Sequence, residues 1–354
     1  MQPVRVAQIG CGYWGKNLIR NFWNLEEAEV VAACDPNPRA LKGMERQFPT
    51  AKLEPSYDAV LANPKVDAVV LATPVSTHFP FARQALEAGK HVLVEKPMTT
   101  TAAESAALIE LAERNGLTLM VDHTFLYTAA VRRMKVLVES GELGDLLYYD
   151  SVRVNLGLVQ SDTNVVWDLA PHDFSIMDYL CGGEPSAVAA FGAAHLNCPH
   201  ANIAYVTVKF HSKSNFIAHF HVNWLAPVKV RRTLIGGSKR MIVYDDMETT
   251  EKVKIYDKGI TLTQDPEQRT RMLTGYRNGD VLAPYLDTGE ALRLMAREFI
   301  MSIGERRAPL TDGYAGYRVV RLLEAAQQSL DQGREIQLGR SGVLARRAGA
   351  AVSE

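Results

Sequence analysis

The first 123 residues alternate between two textures. Short, nearly all-apolar runs, VRVAQIG (4–10), EVVAACD (29–35), DAVVLATP (67–74), HVLVEKP (91–97) and LTLMVDH (117–123), alternate with stretches whose apolar residues recur every three or four positions. A parallel strand buried on both faces reads as continuous apolar sequence, whereas GYWGKNLIRNFWNL, PRALKGMERQF, HFPFARQALEAG and LIELAERNG read as amphipathic helices. Gly89 is placed to end one helix, and Thr101 with Glu104 has capping-box spacing at the start of another. This alternation predicts an α/β Rossmann domain, a doubly wound parallel sheet, over residues 1–124.

After a bridging helix over 130–139 the period shortens to two. LLYYDSVRVNL, SAVAAFGAA, NIAYVTVKF, NFIAHFHVNWL, KVRRTLIG, RMIVYDD and EKVKIYD predict an α+β domain with a large open antiparallel sheet over 125–338. Only TNVVWDLAPHDFSIMDYL interrupts with helical spacing. Proline is tolerated in a first turn, so Pro171 suggests a helix start within it. Two closing helices, GEALRLMAREFIMSIG and AGYRVVRLLEAAQQSL, are expected to pack on the sheet or back on the first domain, and 339–354 reads as a flexible tail.

Length and composition fit this division. A chain of 354 residues is long enough for two domains, and 47% hydrophobic residues suffice for two cores. A net charge of −1 leaves no basic footprint, so nucleic acid is not an expected partner. No apolar run is long enough for a membrane span and no leader pattern opens the chain, so the expectation is a cytoplasmic protein with no membrane partner. Cys11, Cys34, Cys181 and Cys198 lack CxxC spacing and are expected to be reduced. His219 and His221 share a strand face, but no further ligand accompanies them at suitable spacing, so no metal is expected.

Chemistry enters at Gly10-Cys11-Gly12-Tyr13-Trp14-Gly15, a G-x-G-x-x-G that follows a strand and opens a helix. In that context Gly10 permits the tight turn, Gly12 lets a pyrophosphate approach the backbone, and Gly15 allows close helix–strand packing. The helix start adds free N–H groups and a positive dipole. Tyr13 and Trp14, inside the motif, count among the cofactor contacts, although with Phe22 and Trp23 they also show partial helical spacing that suggests core packing. Asp35, at the end of the second strand, is placed to accept a ribose 2′-hydroxyl and to repel a 2′-phosphate, which favours NAD; Arg39 keeps NADP in play. The rest of the dinucleotide is expected at later strand ends, among Thr73, Pro74, His78, Glu95, Lys96 and Pro97, with His78 either capping a helix or touching phosphate.

Asp168 and His172 stand four residues apart, on one face of a helix. Alone, such a pair is as readily a surface ion pair or a satisfied core histidine. In YDSVRVNL, Tyr149, Ser151, Arg153 and Asn155 share one face of a strand, and Lys229 and Arg231 share a face of APVKVRRTL. Arg153 and Lys229 would suit an anionic diphosphate, the alternative being a solvated or subunit-contacting sheet face.

With ATPVSTH, GKHVLVEKP and D-L-A-P-H in place, the chain resembles the glucose–fructose oxidoreductase/inositol dehydrogenase (Gfo/Idh/MocA) family over almost its whole length. The resemblance implies an NAD(P)-binding domain joined to an open-sheet domain, and a catalytic set of Lys96, Asp168 and His172. The family segment is closer to D-x-G-x-H; here Ala170 replaces the glycine and Pro171 follows, which implies a different local backbone. GCGYWGKNLIRNF, DHTFLY, WDLAPHD and a W-L-x-P-x-K stretch further resemble a bacterial subgroup acting on nucleotide-linked amino sugars such as UDP-N-acetylglucosamine. His123 and Trp167 then join Arg153, Asn155, Lys229 and Arg231 as candidate substrate contacts. The expected reaction is hydride transfer between NAD and a ring hydroxyl, with His172 as proton carrier, Lys96 stabilising the oxygen and Asp168 orienting. The competing expectations are an inositol or keto-sugar enzyme of the same fold, and a dinucleotide sensor without turnover. A homodimer or homotetramer through the open sheet is the expected assembly.

Overall fold

The computed structural model describes residues 2–157, 163–211, 216–262 and 274–345. Residues 346–354 of the expected tail, and Asn215 at the start of NFIAHFHVNWL, lie outside them. The chain forms two compact units, Met1–Thr128 with Gly289–Glu324 and Ser341–Glu354, and Ala129–Thr288 with Ala325–Arg340.

The first unit is built on six parallel strands: β1 (Val4–Ile9), β2 (Ala28–Cys34), β3 (Lys52–Glu54), β4 (Ala68–Leu71), β5 (His91–Glu95) and β6 (Leu119–Asp122). They lie in the order β3-β2-β1-β4-β5-β6, whose reversal between β1 and β4 opens a crevice at the strands' carboxyl ends. The connecting helices are α1 (Tyr13–Trp23), α2 (Pro38–Glu45), α3 (Tyr57–Leu61), α4 (Val75–Glu87) and α5 (Ala102–Arg114). All four residues of β4 are buried, as its continuous apolar sequence requires. Thr101 and Glu104 form the expected capping box on α5, and Gly89 follows α4 at φ +73°. The three-residue β3 and the five-residue α3 carry too little pattern to be read from sequence.

The closing helices are α8 (Ala291–Glu305) and α9 (Gly313–Gln332). All of α8, and α9 as far as Glu324, belong to the first unit, the second of the two placements expected for the closing helices, and so depart from the 125–338 span read for the second domain. Phe299 of α8 meets Phe22 of α1 edge to face at 6.3 Å, and Arg20 of α1 pairs with Glu290 just before α8. The expected tail is docked where it begins: Ser341 is buried and bonds the Tyr317 hydroxyl at 2.9 Å.

The second unit holds α6 (Ala129–Glu139), β7 (Leu146–Leu156), α7 (Val165–Cys181), β8 (Pro185–Ala193), β9 (Ile203–Phe210), β10 (Ile217–Asn223), β11 (Leu225–Gly237), β12 (Met241–Asp245), β13 (Val253–Leu262), β14 (Thr274–Leu282) and β15 (Ile336–Gln337). The nine strands lie in the order β14-β13-β12-β11-β7-β10-β9-β8-β15. Antiparallel pairing dominates, but the central β7–β10 pair is parallel, a feature that alternation alone does not reveal. One face is covered by α7, where Phe174 packs edge-on to Phe220 at 4.7 Å and Tyr149 lies behind. The opposite face exposes Phe191, Tyr205 and Ile217 beside His219 and His221.

Candidate active site

The turn between β1 and α1 divides its labour among its glycines. Gly10 adopts φ +85°, and a Cβ there would stand 2.3 Å from the Ala72 carbonyl oxygen of β4's extension. A Cβ on Gly15 would lie 1.9 Å from the Gly10 oxygen, so the helix can seat against the turn only without one. At Gly12 the same direction is open for 4 Å. Gly12 is also the N-cap of α1; it has no side chain to accept the first-turn N–H groups, and no acid lies in that turn. An uncapped helix start facing an open cradle fits a pyrophosphate, so these residues would hold a dinucleotide. Asp35 braces the turn: Oδ2 accepts the Cys11 N–H and Oδ1 the Asn37 N–H, both at 2.8 Å. Arg39 is exposed nearby.

Tyr13 and Trp14 do not pack in the core. They are 78% and 50% exposed beside the turn, in edge contact with each other, while Phe22 is buried and Trp23 rests on Phe48. A helix start that must stay open to phosphate cannot bury its first side chains.

The carboxyl ends of β4, β5 and β6 carry Thr73, Glu95-Lys96-Pro97 and Asp122-His123. His78 is buried in α4, its Nδ1 2.8 Å from the Pro97 oxygen and its Nε2 2.9 Å from the Thr73 oxygen. It therefore ties the two loops together rather than facing phosphate, and burial pushes its pKa down. A neutral ring donates to only one of those two carbonyls. Pro74 is the exposed N-cap of α4. Lys96 follows β5, and its main-chain N–H donates to Glu95 Oε2 at 3.1 Å. Glu95, half-buried, stands opposite Asp122 of β6 in register. Burial, then the neighbouring Asp122, holds Glu95 well above the usual carboxyl range. His123 is 1% exposed with both ring nitrogens buried, which removes it from the expected substrate contacts. Burial, Arg318 and Lys96 push it down to about 3.

In the second unit α7 carries the acid–histidine pair. Asn164 caps the helix, its side chain accepting the Val166 and Trp167 N–H groups at 3.0 and 3.2 Å. Pro171 thus lies well inside the helix, not in its first turn; it removes the N–H that would reach the Trp167 carbonyl, yet the helix runs on to Cys181. Ala170 supports this continuity where glycine would weaken it. Asp168 and His172, both half-buried, share one face of α7, and the Trp224 indole donates to Asp168 Oδ2 at 3.0 Å. Gly157 completes this corner: a Cβ on it would meet Asn155 Nδ2 at 2.8 Å and the Trp224 ring at 3.0 Å. Trp224 is the contact that sequence reasoning missed; its partner is 56 residues away, and only the W-L-x-P-x-K stretch pointed to it.

Two expected substrate contacts, Arg153 and Arg231, are engaged by carboxylates instead. Arg153 lies in the interior under α7, donating from Nε and Nη2 to Asp173 at 2.6 and 3.1 Å, with both side chains at most 5% exposed. Tyr149, Ser151 and Arg153 do share a face, but it is the covered one. Arg231 pairs across from Arg153 and is engaged by Asp246 at 3.1 Å. Lys229 remains exposed, in a stretch of β11 where a register shift between Leu225 and Val230 breaks the strand alternation. Trp167 is half-buried.

A cavity of about 790 Å³ lined by His91, Leu119, Arg306 and Tyr314 opens at the opposite, amino-terminal ends of β5 and β6. Doubly wound sheets bind ligands at carboxyl ends, so it is not the candidate site.

Residues 4–123 match the model of an oxidoreductase family with an NAD-binding Rossmann fold, and 131–243 match the GFO/IDH/MocA C-terminal domain. UDP-N-acetylglucosamine 3-dehydrogenase of Acidithiobacillus ferrooxidans is 28% identical over 322 residues, covering 90% of this chain and 95% of that protein. The crystal structure of an A. ferrooxidans UDP-N-acetylglucosamine 3-dehydrogenase, GnnA, superposes with a TM-score of 0.79 at 26% identity, covering 94% of this chain and 99% of that one. scyllo-Inositol 2-dehydrogenase (NAD+) of Bacillus subtilis is 30% identical over 198 residues, covering 53% and 57%. Two domain models in register with two folded units, over a built dinucleotide turn, make this chain an oxidoreductase of the Gfo/Idh/MocA family.

Proposed function

We propose that the protein is an NAD-dependent dehydrogenase acting at a ring secondary alcohol, at C3, of a nucleotide-linked amino sugar such as UDP-N-acetylglucosamine or its uronate. The observation that carries this reading is the Asp168–His172 pair on α7, with Asp168 held by Trp224, in the same chain as an open Gly12 cradle. Similarity to the A. ferrooxidans enzyme over nine-tenths of the chain supports the substrate class. NAD is favoured over NADP because the Asp35 carboxylate directly follows β2, where a 2′-phosphate would be repelled.

Oxidising a secondary alcohol needs a proton acceptor and a hydride acceptor; bound NAD supplies the second. His172 takes the hydroxyl proton, a task suited to an imidazole near neutral pH. Lys96 donates a hydrogen bond to the same oxygen and stabilises the charge that develops as the proton leaves. Asp168, fixed by the indole, orients the cationic partner and balances the imidazolium. The reading requires Lys96 of the first unit and His172 of the second to serve one substrate oxygen. In the reverse direction the same groups reduce a ketone. Lys229 and Asn155, near Trp224 in sequence and in space respectively, are the proposed contacts to the nucleotide sugar, with the half-buried Trp167 of α7 as a third. A second copy of this chain is the proposed partner for the sheet face opposite α7.

The test is NADH absorbance on mixing enzyme and NAD with UDP-N-acetylglucosamine, its uronate, dTDP-keto-sugars (with NADH) and inositols. Turnover on the amino-sugar nucleotides above the others is expected. Preference for inositol or a keto-sugar would replace the substrate class, and NAD binding without turnover on any of them would favour a sensor.

A further inference from the structure

Gln8 is 1% exposed in the central strand β1, between Ala33 of β2 and Val70 of β4. A parallel strand buried on both faces takes apolar side chains, so an amide here breaks the local rule. Its Nε2 donates to the Gly10 oxygen at 3.1 Å and to the Ile9 oxygen at 3.3 Å. Two carbonyls on one side fix which end of the amide is nitrogen. Oε1 is left buried without a partner, a cost that an apolar side chain would not carry. The Ile9 oxygen already accepts the Ala72 N–H at 2.8 Å, so what Gln8 adds is a donor for Gly10. The Gly10 oxygen is packed against Gly15, where a Cβ would lie 1.9 Å from it and 3.3 Å from Gln8 Nε2. Among the described residues no other hydrogen-bond donor serves it.

The same peptide group is held at its other end. The Gly10 carbonyl and the Cys11 N–H belong to one planar unit, and the Cys11 N–H donates to Asp35 Oδ2 at 2.8 Å. We infer that Gln8 and Asp35 clamp the Gly10–Cys11 peptide between them, and that Gln8 is a positioning residue for the pyrophosphate cradle. Buried beneath the turn, it touches no ligand itself. With the plane fixed at both ends, Gly12 and the free N–H groups of the first turn of α1 hold one orientation before the dinucleotide arrives. Without Gln8 the plane is held through Asp35 alone and can tilt, so binding must first restore it. The buried amide thus serves binding rather than folding, which is where a broken local rule is expected.

NADH fluorescence titration of the whole protein, with thermal unfolding of the ligand-free form, tests this in Gln8→Met, close to glutamine in length and volume but without its amide. NADH affinity weaker by about threefold to tenfold is expected, the range of one net hydrogen bond. The unfolding temperature should change little, because the variant removes an unpaired buried acceptor together with the Gly10 donor. Ser105→Ala is the control: it deletes a buried hydrogen bond to Thr99 in the same unit, and should unfold at lower temperature with NADH affinity within about twofold of wild type. Wild-type affinity in Gln8→Met, whatever its unfolding temperature, would make Gln8 structural only and overturn the inference. Equal weakening in Ser105→Ala would overturn it too, by tracing the loss to general loosening. If Gln8→Met fails to fold, Gln8→Asn, whose amide stops one methylene short of Gly10, is read by the same two measurements. The inference rests on the cofactor part of the proposed function and not on the sugar. A wild type that binds no NADH would remove both, whereas normal affinity in Gln8→Met would remove this inference alone.

Discussion

At Gly12 a methyl group would point into open space, whereas at Gly10 it would strike the Ala72 carbonyl on a backbone of positive φ. The same substitution therefore separates folding from binding. Gly10→Ala should lower unfolding free energy by about 2 kcal/mol or more, from the φ penalty and the contact together. Gly12→Ala should leave thermal unfolding of the ligand-free protein nearly unchanged while weakening NAD, read by titration of bound cofactor. If Gly12→Ala binds NAD normally, the cradle is not where the pyrophosphate rests. These glycines were legible in sequence because their roles are local, fixed by a strand, a turn and a helix within a dozen residues. Trp224 was not, because its role exists only once β10 and β11 have brought residue 224 against α7. The exposure of Tyr13 and Trp14 goes against core packing, the expectation drawn from their spacing, for a related reason: helical spacing says which residues share a face, not whether that face is covered.

At the scale of elements, α7 and β7 are held by a charge pair that neither strand parity nor helical period foresees. Alternation correctly grouped Tyr149, Ser151 and Arg153; the face that becomes interior was decided by α7, which follows in the chain and brings Asp173 to Arg153. Removing one partner strands a buried charge, so Asp173→Asn should cost about 3–5 kcal/mol in denaturant unfolding. The double replacement Arg153→Met with Asp173→Leu should recover most of that loss, since an apolar pair of similar volume leaves no unpaired charge. Equal destabilisation by the single and double variants would show that the pair holds α7 by something other than charge balance. Boundaries followed the same logic. Long, strongly patterned β7 was read over its full span, while β3 and β15, three and two residues long, exist only through their neighbours in the sheets.

For the whole molecule, the change of period near residue 130 falls close to the break between the units at Thr128–Ala129, whereas the sequence leaves open which unit α8 and the first part of α9 join. An amphipathic helix advertises a buried face without naming its partner. The sheet face opposite α7 poses the same question, with Tyr205 stacked on His221 at 4.5 Å and Phe191 and Ile217 exposed nearby. If a second copy covers it, sedimentation should give a dimer or tetramer that Tyr205→Glu shifts toward monomer; a monomer at micromolar concentration in the wild type would remove that proposal.

In the proposed mechanism Lys96 and His172 act in one reaction step. Kinetics of Lys96→Met and His172→Ala with UDP-N-acetylglucosamine, alongside NAD titration of each variant, test this most directly. NAD affinity within about twofold of wild type and kcat lower by about a hundredfold or more in both variants is the expected result. Turnover near the wild-type value in either variant would contradict it.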